Sequence, residues 1–393
     1  MARHFSIPSF FRQVPNALLR RCFVAHGLLV DFDFEAMPET RPNKLLEAWR
    51  TLPDAVRNEM EAEFTEVFDM ACEKGARAIL DEAQWQMRAS PDSYKAFADK
   101  LASMPGHFER AVSVFLDHRD LWRGAALFYH ADTLPYWRKR PGLPRVSAAI
   151  ECDSRRELAL GIGTWFHEVE GRGRSCMVEL LRRDDRDYFF VYPEDYSQQS
   201  IEWVDGQFSR RPHNPAFEIV YVWSQHEGTL DFNHRGARKA VEPLQRIFAR
   251  AILKLDDLPP ETKHQRVYDL NPLRSRGFQF VYTPDGGILR VAVRKLRLSS
   301  RIRSGDSMTF EADIAANPLA LYDLLEEVER SIPLTGQWNV TQAEISVLML
   351  TASDKPPKTV TFQISWPNSC SLKYDAIGLK LRAMLKASGI EPR

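Results

Sequence analysis

Between Arg290 and Arg303 the chain carries six cations (Arg290, Arg294, Lys295, Arg297, Arg301, Arg303) and no acid. If this run is extended, period-two alternation puts Lys295, Arg297, Ser299, Arg301 and Arg303 on one side. Leu296, Leu298, Ser300 and Ile302 then face a core. At about 3.3 Å per residue the stripe spans about 26 Å, and the chemistry it suits is contact with phosphates. On duplex DNA, about four such contacts give a log-log salt slope of about −3.6. The competing reading is an edge strand guarded by charge.

A second cluster, Arg138, Lys139, Arg140 and Arg145, lies beside Tyr136 and Trp137. Its segment, 134–145, holds three prolines and a glycine, so it reads as a wet connector between domains. Cations next to aromatics also suit a nucleic-acid strand.

Other chemistries have weaker signals. Asp184, Asp185 and Asp187 could hold a divalent ion for phosphodiester cleavage, although Arg182, Arg183 and Arg186 interleave with them and favour a salt-bridged turn. Cys152, His167 and Cys176 are ligand types at irregular spacing with no fourth partner for zinc. Cys370 would need a base such as His226 or His234 brought from elsewhere to act as a nucleophile. His118 and His130 read as parts of a solvated, ion-paired helix. No phosphate-binding loop, dinucleotide fingerprint, zinc-protease helix or serine elbow occurs: Gly161 and Gly163 are followed by Phe166 where a third glycine belongs, and Gly171 replaces the second histidine after His167-Glu168. No metal and no cofactor is expected.

The elements that must position these groups differ along the chain. Residues 1–140 read as a helical bundle, with helix starts at Pro53-Asp54 and Pro91-Asp92 and a break at Pro105-Gly106. Residues 146–262 read as a mixed module: a helix over 154–171, strands over 176–181, 187–192, 200–204, 216–223 and 229–233, then a helix with Val241, Leu244, Phe248 and Ile252 on one stripe. Residues 266–393 repeat that grammar, with strands at 278–282, 288–299, 307–313, 342–351 and 358–366 and helices at 319–332 and 377–387. A hairpin turn is expected at 283–287. A faint echo links Ser224–Phe232 to Ser365–Tyr374, each a strand, a turn and a Leu-x-aromatic strand before a helix. The expected class is therefore α+β, a helical N-terminal domain followed by two modules on antiparallel sheets.

With 393 residues, 44% hydrophobic and 27% charged, the chain is long enough for more than one core. Lys plus Arg equals Asp plus Glu at 53 each, so global charge points to no partner. The two β-rich segments differ: 16 basic against 20 acidic groups over 146–265, and 17 against 13 over 266–393, hence −4 and +4, a split that could help them dock. Five scattered cysteines suit reduced thiols and a cytoplasmic setting, and no stretch is long and apolar enough for a membrane span. Residues 1–30 are basic with no acid, as in a transit peptide, yet a basic first helix is the simpler reading. These features favour a non-catalytic binding or regulatory protein. Its basic strand would meet a nucleic acid or another polyanion, with Lys295, Arg297, Arg301 and Arg303 joined by Arg138, Lys139 and Arg140. A metal-dependent nuclease and a protein-binding scaffold are the alternatives.

Overall fold

The structure, a computed structural model, describes residues 4–183, 185–204, 206–260, 267–283, 287–331, 337–350 and 356–391. The fold is α+β. It divides into two compact units, Met1–Ala131 with Gln199–Pro212, and Asp132–Gln198 with His213–Arg393.

The first unit holds α1 (Ile7–Gln13), α2 (Asn16–Ala25), α3 (Asn43–Thr51), α4 (Asp54–Met70), α5 (Glu73–Gln86), α6 (Pro91–Ser103) and α7 (His107–Asp117), and most of α8 (Arg119–Thr133). Proline starts place α4 and α6 where expected. The long stripe after Pro53 is cut in two because Cys72 caps the new helix, its Sγ accepting from Gly75 N at 3.4 Å. The stripe after Gly106 likewise breaks at His118. The basic N-terminal residues form α1 and α2, which send Phe10, Phe11 and Phe23 into an aromatic core. There Phe10 stacks on Phe64 with ring centroids 4.7 Å apart.

In the second unit β1 (Trp137–Arg140) and α9 (Cys152–Glu170) precede β2 (Cys176–Arg183) and β3 (Arg186–Pro193). Next in the chain comes the hairpin β4 (Gln198–Val204) and β5 (Gln207–His213), a separate two-stranded sheet nearly all of which belongs to the first unit. Then follow β6 (Ile219–Ser224), β7 (Thr229–His234), α10 (Val241–Ala251), β8 (Ile288–Ser300), β9 (Ser307–Glu311), α11 (Ala320–Glu329), β10 (Trp338–Met349), β11 (Lys358–Ser365), β12 (Ser369–Cys370) and α12 (Ala376–Ala387). Ten strands form one antiparallel sheet in the order β2-β3-β6-β7-β1-β12-β11-β10-β8-β9.

This sheet corrects two expectations. The segment 134–145 is no mere connector: its middle is β1, the strand that joins the two β-rich segments into one sheet. Pro135 and Pro141 confine it to four residues, since proline adds no donor to a ladder. The second difference is at 278–282, which forms no strand and leaves Val281 exposed. The expected turn beside it falls largely on 284–286, outside the described residues.

The echo holds in part: it corresponds to β6-β7-α10 and β11-β12-α12, which flank β1 on either side, but the second copy's short strand is Ser369–Cys370, and its Leu372-Lys-Tyr374 lies after that strand. Their helices lie on opposite faces. Leu230 and Phe232, paired with Arg140 and Arg138, belong to a core with Leu244 and Phe248 of α10. Cys370, paired with Trp137, belongs to a core with Leu381, Met384 and Leu385 of α12. Facing residues of paired strands share a side, so α9 and α10 cover one face of the first half and α11 and α12 the other face of the second. The second half therefore keeps a face that its own helices leave open.

Candidate polyanion interface

That open face is built from alternation. On β8, Leu296 and Leu298 are fully buried while Arg297 between them is exposed. A bulge makes Arg294 an extra residue, because Lys295 pairs with Glu344 whereas Val293 pairs with Ile345.

Arg297 begins a cross-strand row. It faces Gln342 on β10, which faces Ser365 on β11, then Ser369 on β12, then Arg138 on β1. Every member is polar and at least partly exposed. Four strand spacings of ~4.8 Å put its two arginines about 19 Å apart. Arg297 donates to Ser307 Oγ at 3.2 Å, and neither Arg297 nor Arg138 has a carboxylate partner among the described residues. Burial and the neighbouring Arg238 both work against the charge of Arg138.

The remaining expected cations divide. Lys295 shares the face but is held by Glu311 at 2.9 Å, while Arg294 bridges Glu311 at 3.1 Å and Glu344 at 2.9 Å. Arg301 and Arg303 leave the stripe because the strand ends at Ser300. Ser300 Oγ accepts from Ile302 N at 3.2 Å and Arg303 N at 3.0 Å, a local turn that outcompetes the ladder. The stripe of four is thus corrected to Arg297 beside a neutralised Lys295.

The connector cluster divides as well. Lys139 points to the opposite face and is 8% exposed, with Glu391 at 2.7 Å and Glu227 at 3.5 Å. Burial opposes its charge, but Asp231, Glu391 and Glu227 outweigh that and raise its pKa. Arg140 shares the face of Arg138 but lies buried, donating to Gln245 at 2.9 Å and to the Pro259 carbonyl at 2.5 Å. These two are structural, since a buried ion must find partners inside the fold.

No family model and no curated protein matches the chain.

The other candidates do not assemble. Asp184 lies outside the described residues, Asp187 is buried against Arg182 at 2.5 Å, and Asp185 faces Arg186 at 3.9 Å. Among the described residues no three His, Cys, Asp or Glu side chains are grouped to hold a metal. His167 and Cys176 line a groove of about 610 Å³ along α9 with Arg156, Leu160 and Arg174. Burial pushes the Cys176 thiol up to about 12, which keeps it protonated, and Cys370 is buried with its pKa raised for the same reason. No described helix is long and apolar enough to cross a membrane.

Three cations were missed by sequence reasoning. Arg235, Arg238 and Lys239 are exposed on the turn between β7 and α10. The signal was present as Arg-Gly-Ala-Arg-Lys just ahead of a predicted helix. It gained meaning only when β1 placed Arg138 next to it.

Proposed function

We propose that the protein is a non-catalytic binding or regulatory protein whose open half-sheet meets a polyanion, with single-stranded nucleic acid as the ligand class. The observation that carries this reading is the row from Arg297 to Arg138, two cations that have no carboxylate partner among the described residues, at the ends of a line of hydroxyl and amide groups. Phosphates supply the missing counter-charge, and Ser and Gln side chains add neutral hydrogen bonds. Tyr136, two residues before Arg138, and Trp366, next to Ser365, are 60% and 45% exposed and offer ring faces for bases.

Fluorescence anisotropy of a labelled single strand against wild type and the Arg138→Met/Arg297→Met variant tests this. Removing two phosphate contacts is expected to flatten the log-log salt slope by about 1.4. Equal affinity and equal slope for the two proteins would overturn the reading.

A further inference from the structure

The turn between β7 and α10 gathers more positive charge than the fold itself uses. Arg235, Arg238 and Lys239 are exposed there, and Arg138 of β1 is paired with Phe232, two residues before the end of β7 that enters the turn, where Arg238 opposes its charge. None of the four has a carboxylate partner among the described residues. The acids nearest in sequence are engaged elsewhere: Glu242 in the first turn of α10 pairs with Arg246 at 3.1 Å, and Asp231 faces the other side of the sheet with Lys139. A partly desolvated cation beside a like charge is unfavourable until an anion joins it.

The surroundings are built to hold such an anion. Arg138 is in register with Ser369, whose hydroxyl shares its face. A 3-10 turn, Arg238–Ala240, leads directly into the eleven-residue α10, with the Val241 N–H donating to the Arg238 carbonyl, so Arg238 and Lys239 stand on ordered backbone. The turn also has a fixed floor. Gly236 folds over His234 so closely that a Cβ there would meet the ring Nε2 at 2.1 Å. The imidazole sits among Phe166, Phe217 and Phe232 with ring centroids 5.9, 6.4 and 6.0 Å away.

We infer that Arg138, Arg235, Arg238 and Lys239 form a seat for one phosphate group, at the end of the row. Guanidinium forks match phosphate oxygens in pairs, and four cations suit a phosphate better than a single carboxylate. The seat rests on the reading of the open face and gives that face a fixed end, where the strand's register is set. The phosphate comes from a nucleic-acid strand or from free phosphate, and the two sources separate experimentally.

The test follows backbone amide and arginine side-chain resonances of the full chain while inorganic phosphate, then a short single-stranded oligonucleotide, is added at constant ionic strength. Both are expected to shift the 235–239 turn and Arg138. Arg238→Met, an exposed change that leaves packing intact, is expected to weaken each by about tenfold. Phosphate binding without oligonucleotide binding keeps the seat and removes the nucleic-acid reading. Oligonucleotide binding that leaves the turn unshifted, or that Arg238→Met does not weaken, overturns the seat and spares that reading. No shift with either ligand overturns both.

Discussion

Lys139 Nζ stands 2.7 Å from Glu391 Oε1, joining the central strand to the end of the described chain across 252 positions. Glu227, Arg186 and Lys386 extend this contact, with Glu227 3.8 Å from Arg186 and 3.9 Å from Lys386. Lys139→Met leaves the buried Glu391 without its cation and is expected to cost about 3–5 kcal/mol. Adding Glu391→Leu to the same chain is expected to restore part of that loss. Urea unfolding of both variants measures it, and a double variant no better than the single one would show that the pair is not coupled.

Acid is expected to destabilise the fold through His234. Burial first, then Arg172 and Arg138 against the opposing Glu170, lower its pKa from 6.5 to about 4. Between these values the unfolded chain binds a proton that the folded chain refuses, so stability falls as pH falls from 6.5 towards 4. The loss is about 3 kcal/mol at 1.36 kcal/mol per unit, and it is complete below the folded value. His234→Phe, matched to its aromatic surroundings, is expected to remove this part of the slope. Unfolding free energies at several pH values decide it.

Single substitutions on β8 separate an open cation from a paired one. Arg297→Met is expected to reduce the salt slope of oligonucleotide binding by about 0.7, and Lys295→Met to leave it nearly unchanged because Glu311 already holds that ammonium. An equal effect of both would mean that the strand acts as an undivided stripe.

Gly75→Ala is expected to destabilise the protein by about 2 kcal/mol or more. A Cβ there would lie 1.9 Å from the Met70 carbonyl oxygen, where α4 ends and α5 begins, and backbone on both sides leaves little room to yield. Thermal unfolding measures the change, and a melting curve like that of wild type would mean that the junction relaxes freely.

What could be read in advance was local. Alternation correctly sent Leu296 and Leu298 inward and Lys295 and Arg297 outward, because period two is a property of any strand with one buried face. Proline starts located α4 and α6 because the missing N–H costs nothing where a helix begins. The failures involved partners distant in sequence. Nothing near Lys139 announces Glu391, so a buried ion pair looked like a wet basic cluster. A basic segment with three prolines and a glycine read as a connector, and only pairing with β7 and β12 on both sides makes Trp137–Arg140 a strand. The row from Arg297 to Arg138 was unreadable because it crosses five strands, while sequence patterns run along them. Arg301 and Arg303 were lost to Ser300, whose hydroxyl redirects the backbone within three residues.

The shortness of β1 has a consequence for how the ten strands behave together. Each half of the sheet ends against the same four residues, so withdrawing either half would strip a ladder from β1 and open a raw edge on the other. A fragment carrying residues 132–260 alone would present the Trp137–Arg138 side of that edge to its neighbours in solution, an invitation to aggregate. The two halves are thereby bound to a common fate in folding and in degradation, whatever their evolutionary origin.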